Sequence, residues 1–262
     1  MAEPTDTPDW QQLLHTWDRQ QQGYVAHREQ LIGTMLDATE AVVGDAPLAL
    51  DLACGPGTIS ARLLERFPKA RCVAVDIDPL LLAIGQGALS TMDGRLHWVD
   101  ADITTDSWLQ AIGDEQFDVV LSATALHWLT PAQLITTYRD ISAALRPGGL
   151  LLNADRLEFD ERSPTCRELT ATVTKTRWQT AFCAEDIDDW ETWWASLAGH
   201  PVLEALLETR RERFAGNDGT TTQRRGAITS YALHVAALAE AGFHEIDTIW
   251  QDLNRRLLLA IN

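Results

Sequence analysis

Lysine is nearly missing from this 262-residue chain. Lys69 and Lys175 are the only two, and arginine supplies the rest of 21 basic residues set against 38 acidic ones. The resulting net charge of −17 creates a field that repels phosphate backbones and anionic lipid surfaces, which excludes nucleic acid and membranes as main partners. Basic residues meet only in short pairs, Arg210-Arg211, Arg224-Arg225 and Arg255-Arg256. Cysteine is scarce too. Cys54, Cys72, Cys166 and Cys183 form no C-x-x-C pair and have no histidine cluster beside them, so no metal is expected. No apolar run approaches the ~18–20 residues that span a bilayer. The opening segment, MAEPTDTPDW, is polar and acidic and lacks the basic and apolar regions of a signal peptide; a reducing cytoplasm is the expected compartment. Repeats and low-complexity tracts are also missing.

What is present is an ordinary globular composition, 45% apolar, in a length that suits one large α/β domain with an insertion. From Trp10 to Val43 the apolar residues Leu13, Leu14, Trp17, Tyr24, Leu31, Ile32 and Met35 recur at helical steps. The grammar then changes. Short apolar runs at 48–53, 71–75, 96–99, 117–121 and 150–152 alternate with helical stretches, the signature of βαβ units and a parallel sheet buried on both faces. Right-handed crossovers make such a sheet doubly wound, and its ligands bind at the carboxyl ends of the strands. Residues 156–235 break the rhythm and read as helical. Strand-like runs return at Glu245–Trp250 and Arg256–Ile261 as an antiparallel C-terminal hairpin. The expected organisation is a helical cap over 1–44, a sheet domain over 45–155 and 236–262, and a helical lid insertion over 156–235.

The sharpest chemical signal is the run Leu50-Asp51-Leu52-Ala53-Cys54-Gly55-Pro56-Gly57-Thr58. Glycines after a first strand let backbone approach a ligand, and the following helix N-terminus aims donors at it. Asp76 closes the second strand, where an acid accepts hydrogen bonds from ribose hydroxyls. Asp51 sits in the approach to the loop, where it would repel a phosphate and suits a cationic group. Together these point to an amino-acid-bearing nucleoside and away from a dinucleotide.

On these residues the chain resembles the class I S-adenosylmethionine-dependent methyltransferases. The matching segments are LDLACGPGT (50–58), VAVDIDP (73–79), VDADI (99–103), FDVVLSATALHWL (117–129) and LRPGGLLL (145–152), and the last two look most like the trans-aconitate and biotin-pathway branch of small-molecule enzymes. The resemblance implies a Rossmann-like, mostly parallel seven-stranded sheet and S-adenosyl-L-methionine as cofactor. It implies Asp51 and the Ala53, Cys54 and Gly55 backbone around the methionine moiety, with Gly57 in the same loop. It further implies Asp76 on the ribose, Ile77 against adenine, Asp102 with Ile103 at the adenine amino group, and Ser122 and Ala123 along the methionine side. Ala53 stands where the family carries its first glycine. A negative φ there costs little, whereas a positive φ strains the loop that holds the cofactor.

Arg28 follows Tyr24 by four residues and shares its helix face. In relatives of this branch an arginine entering this helix suits the cofactor carboxylate and a nearby tyrosine caps the pocket; the same pair also fits a solvated arginine and a core tyrosine. His127, beside Trp128 after the fourth strand, reaches the methyl group in this fold and suits a general base, although the pair also fits simple packing. Trp190, Trp193, Trp194 and Leu197 lie on one helix face, either a core stripe or the wall of a pocket for an apolar or aromatic acceptor. Asp186, Asp188, Asp189 and Glu191 read as a capped, solvated helix start.

The expected function is methyl transfer to a small molecule, driven by proximity and orientation and carried out as a monomer or homodimer. Two other functions also fit: a fold repurposed for chemistry without methyl transfer, such as cyclisation, and a regulatory partner that binds the cofactor without turnover.

Overall fold

The computed structural model describes residues 7–185, 187–215 and 230–262; Asp186 and the Arg224-Arg225 pair lie outside these ranges. Seven strands form one sheet in the order β3-β2-β1-β4-β5-β7-β6. β1 (Leu48–Leu52), β2 (Arg71–Asp76), β3 (Leu96–Asp100), β4 (Phe117–Ala123) and β5 (Leu145–Arg156) run parallel, while β7 (Arg255–Ile261) is antiparallel to both β5 and β6 (Glu245–Asp252). This is the doubly wound, Rossmann-like sheet with a C-terminal hairpin that the alternating pattern predicts. Strands are added outward in one direction from β1 to β3 and in the other from β4 onward, so the crevice of the sheet opens above the carboxyl ends of the parallel neighbours β1 and β4.

Both faces are covered, which is why the central strands read as continuous apolar runs. On one face α2 (Arg28–Val43) and α3 (Thr58–Arg66) bury Met35, Leu63 and Leu64 against Ala49, Leu121 and Leu152. On the other, α5 (Ser107–Ile112), α6 (Pro131–Ala144) and α10 (Tyr231–Glu240) bury Trp108, Tyr138 and Leu238 against Leu50, Val120 and Leu258. One polar chain crosses this second layer: Asn153 Nδ2 donates to the Tyr138 hydroxyl at 3.2 Å, and that hydroxyl meets Nδ1 of fully buried His234 at 2.6 Å. α10 begins inside the range expected for the insertion, but it packs on α6 as part of the sheet domain.

A third cluster lies outside the sheet. α1 (Trp10–Tyr24) packs on α4 (Pro79–Leu89), α8 (Trp190–Ser196) and α9 (Pro201–Phe214) through Trp17, Leu80, Ile84, Trp193 and Leu203. The tryptophan stripe of α8 turns inward here. Trp17 meets Trp190, Trp193 and Trp194 edge-on at 5.8, 4.9 and 6.3 Å between ring centroids. Asp189 caps α8 by accepting from the Thr192 amide at 2.8 Å, as its acidic start predicts. No helix among the described residues is long and apolar enough to cross a membrane.

Trp193 is 1% exposed, and its Nε1 donates to Thr16 Oγ1 at 3.0 Å. Trp193→Ala is expected to lower the unfolding free energy by about 3–5 kcal/mol in urea titrations, the range for a buried large side chain. Trp128→Ala, at a side chain 49% exposed, should leave the midpoint almost unchanged.

Candidate cofactor cleft and neighbouring side chains

The cleft begins where β1 ends. Ala53, Gly55 and Gly57 all have positive φ, at 58°, 55° and 76°. Gly57 is required twice over: its φ is left-handed, and a Cβ there would stand 2.5 Å from the Trp98 ring. Ala53 has no such freedom. Its left-handed backbone is held by the surrounding structure at a cost of about 1–2 kcal/mol.

Asp76, at the tip of β2, fixes this turn. One carboxylate oxygen accepts from the Gly55 amide at 2.7 Å and the other from the Asp78 amide at 2.8 Å. Burial raises its pKa to about 6; the two amides oppose that shift, and the nearby Asp78 and Asp51 add to it. Asp51 is also buried. Its Oδ2 takes both the amide and the hydroxyl of Ser60, at 3.1 and 2.6 Å, while Oδ1 takes no donor among the described residues. Burial raises its pKa to about 6 as well, against the Ser60 hydrogen bonds and the Arg28 charge.

Arg28 does not share a helix face with Tyr24 as expected: α1 ends at Tyr24, His27 turns left-handed with φ 60°, and α2 starts at Arg28, from which it reaches the same turn. It donates to Thr58 Oγ1 at 2.9 Å and to Asp18 at 2.7 Å, so its guanidinium lies at the start of α3. Burial lowers its pKa, with the Asp18 charge opposing. Cys54 is buried, and its amide donates to the Val75 carbonyl. Asp102 accepts from the Thr104 amide and hydroxyl at 2.8 and 2.7 Å, closing the turn that carries Ile103. Ser122 is fully buried and donates to the Leu52 carbonyl at 3.0 Å, tying β4 to β1; Ala123 follows at the strand end.

α9 reaches over the far rim of the cleft. Arg213 on α9 donates to the Ile77 carbonyl at 2.7 Å and also to Asp100, and Arg210 donates to Asp78. Arg210 stacks over Trp194 at 3.9 Å, so Trp194 sits in the α1–α8–α9 cluster, one residue removed from the Asp78 that follows β2. These arginines escaped the sequence reading; the Arg210-Arg211 pair was their only trace.

His127 sits on a short 3-10 turn, Leu126–Trp128, after β4. Its Nδ1 lies 2.7 Å from Asp155 Oδ1, and its amide donates to Oδ2 at 2.9 Å. Burial pushes the Asp155 carboxyl up, but the His127 charge and hydrogen bond, the Arg156 amide and the Arg255 charge outweigh it and hold the pKa at about 2. An ionised carboxylate only accepts, so Nδ1 is the ring nitrogen that carries a proton toward Asp155. Asp155 was also missed. The interruption of the apolar β5 run by Asn153 and Asp155, two residues apart on one face, was the available signal. Trp128 lies against the His127 ring at 4.7 Å and faces outward. Tyr24 stands apart from this pair, with its ring against Phe182 and Trp178 and its hydroxyl accepting from the Trp190 amide at 2.8 Å.

Residues 49–149 match a family model described as a methyltransferase domain. The chain is 31% identical over 151 residues to a trans-aconitate 2-methyltransferase of Azoarcus sp., covering 57% of this chain and 54% of that one. It is 29% identical over 166 residues to a protein of the same description from Streptomyces coelicolor, covering 63% and 52%. The chain thus spans about half the length of these curated relatives. In fold it is similar to a magnesium protoporphyrin IX methyltransferase from Synechocystis solved with bound S-adenosylhomocysteine, with a TM-score of 0.55, 14% identity and 94% of each chain covered.

Ala53→Gly is expected to raise stability by roughly 0.5–1 kcal/mol, because relief of the left-handed strain exceeds the extra backbone entropy of glycine in the unfolded chain. A shift of the urea midpoint at constant slope would register the gain.

Proposed function

We propose that this chain, whose residues 49–149 match a methyltransferase domain, is a class I S-adenosylmethionine-dependent methyltransferase that transfers a methyl group from that nucleoside to a small organic acceptor. The observation that carries the reading is Asp76: a buried carboxylate at the tip of β2 that already grips the glycine turn through Gly55 and still presents lone pairs for a sugar diol. The donor set fits the nucleoside on three further counts. Asp51 Oδ1 is without a protein donor, which suits a ligand amine. Arg28 brings a guanidinium to the start of α3, which suits a carboxylate. Ile77 and the Asp102–Ile103 turn stand at the neighbouring strand ends, which suits an adenine ring.

When bound, S-adenosylmethionine supplies a methyl carbon already activated by its sulfonium. The work left to the protein is to align donor and nucleophile and to exclude water, and such positioning is worth as much as ~7–11 kcal/mol. α1 and α9 close two sides of the cleft. His127 is oriented by Asp155 through Nδ1, and with the ring neutral its Nε2 takes a proton from an acceptor O–H or N–H as the methyl group arrives.

Formation of S-adenosylhomocysteine across a panel of acceptors, read by mass spectrometry, tests the function. Failure to form it with any acceptor, in protein that does not bind the nucleoside, would overturn the reading. Asp76→Ala should weaken S-adenosylhomocysteine binding by about 1.5–3 kcal/mol in calorimetry, the value of a hydrogen bond to a charged group. The pH dependence has a definite sign. A folded pKa near 6 lies above the unfolded value, so the contribution of Asp76 to stability is present below about pH 4 and is lost as pH rises through 6. Ribose hydroxyls donate to the ionised form. Nucleoside affinity should therefore fall by up to tenfold per pH unit below about 6, while the free protein gains stability over the window from 6 to 4. His127→Ala should keep nucleoside affinity within twofold and slow turnover by about 10²-fold or more; a wild-type rate would return His127 to packing.

A further inference from the structure

Arg28 is the first residue of α2, beside the break that separates it from α1. Its long side chain loses rotamer entropy when it is held in one place. Two contacts hold it there. Nη1 donates to Asp18 Oδ1 at 2.7 Å and Nη2 to Thr58 Oγ1 at 2.9 Å. With both terminal nitrogens anchored, the plane of the guanidinium fork is set. The side chain is only 10% exposed. Burial lowers its pKa, and the charge of Asp18 is the largest influence opposing that shift. A cation taken this far out of water is costly without a carboxylate beside it.

Asp18 does not serve Arg28 alone. Its Oδ2 accepts from Arg62 Nη2 at 2.7 Å and its Oδ1 from Arg62 Nη1 at 3.4 Å. Arg62 also donates to Glu29, at 2.8 and 3.2 Å, and Glu29 comes within 3.7 Å of Arg28 Nη1. Four charges therefore alternate in sign around a closed ring, Arg28, Asp18, Arg62 and Glu29. An isolated Asp18 would repel any anion that approached Arg28. The cation of Arg62 on its other side offsets that repulsion.

α1 carries Asp18 on a fixed support. The indole of its neighbour Trp17 would stand 3.9 Å from a Cβ on Gly55, so the helix lies against the glycine turn itself. Trp17 is held edge-on by Trp190, Trp193 and Trp194 of α8. At the far end of α1, Tyr24 packs on Trp178 of α7 (Pro164–Gln179), with 5.4 Å between ring centroids. A carboxylate on such an element can hold a flexible partner in place.

We propose that Asp18 is the positioning residue for Arg28, turning its guanidinium to the start of α3 so that it meets the amino-acid carboxylate of the nucleoside. Asp18 acts through Arg28 and does not touch the ligand. This role rests on the reading of Arg28 as the carboxylate's partner.

Two nucleosides separate positioning from simple helix packing. S-adenosylhomocysteine carries the amino acid, and methylthioadenosine keeps the adenosine and the thioether but lacks it. Each is titrated into the whole chain by calorimetry, and binding of methylthioadenosine also reports that a variant is folded. Asp18→Asn is expected to weaken S-adenosylhomocysteine about tenfold and to leave methylthioadenosine within twofold. Arg28→Met should show the same split. Adding Asp18→Asn to it should cost less than twofold more, because the two side chains act as a unit. Arg62→Gln leaves Asp18 on Arg28 but removes the offsetting cation, and should weaken S-adenosylhomocysteine about threefold with methylthioadenosine again unchanged. In Asp18→Asn, no loss, an equal loss for both nucleosides, or tighter S-adenosylhomocysteine binding would overturn the role, as would an additive loss in the double variant. Wild-type protein that binds neither nucleoside, or Arg28→Met that binds both as the wild type does, would overturn the reading of the cleft and this role with it.

Discussion

One buried carboxylate holds the cleft together. Asp76 accepts from Gly55 on the turn after β1 and from Asp78 at the start of α4, so the tip of β2 is tied to both neighbouring segments. The tie is made from an ionisable group taken out of water, and a second buried carboxylate, Asp51, ends the adjacent strand. Burial makes ionisation expensive at both, which is why both are pushed toward neutrality, and the charges of Asp78 and Asp51 add a smaller push at Asp76. A site built this way favours a ligand that donates hydrogen bonds or brings positive charge. The amine and sugar hydroxyls of an amino-acid-bearing nucleoside do both, and a pyrophosphate does neither.

The acid at the strand ends dictates where the arginines go. Arg28 approaches Asp18 and the start of α3, while Arg210 and Arg213 join α9 to Asp78 and Asp100. Each contact uses a planar, permanently charged fork, which a lysine ammonium does not reproduce. A chain with only two lysines and a large acidic excess therefore still assembles a connected polar rim. The balance reverses near Tyr24 at the ends of β5 and β6, where Arg156, Arg167, Lys175, Arg177 and Arg255 outnumber Glu158 and Asp252.

The periodic parts of this architecture were legible in the sequence. Leu48–Leu52 and its counterparts are short and apolar because both faces are covered, and the loop, Asp76 and the hairpin follow from turn chemistry and alternation. Contacts between distant segments were not legible. Nothing local to Ala53 announces that its φ is positive; tertiary packing imposes it. The pairing of His127 with Asp155 joins residues on β5 and the loop after β4, and only the parallel register of those strands brings them together. The role of α9 was hidden for the same reason, since Arg210 and Arg213 meet acids more than a hundred residues earlier. The start of α10 was obscured because its apolar face packs on α6, so it reads as one more helix of the insertion.

The helices α8 and α9 are fastened by contacts of two different kinds. Around Tyr24 the contacts converge: its hydroxyl takes the Trp190 amide, its carbonyl takes Trp178 Nε1 and Arg255, and its ring packs on Phe182. α8 adds a nest of edge-on tryptophans against Trp17. Separating that seam exposes large apolar surface and breaks buried hydrogen bonds together. α9 joins the same apolar cluster through Leu203 and adds ion pairs over the strand ends: Arg210–Asp78 is largely buried, whereas Arg213–Asp100 reaches solvent and is worth little. Water and salt therefore compete for the Arg213–Asp100 pair and not for the tryptophan nest.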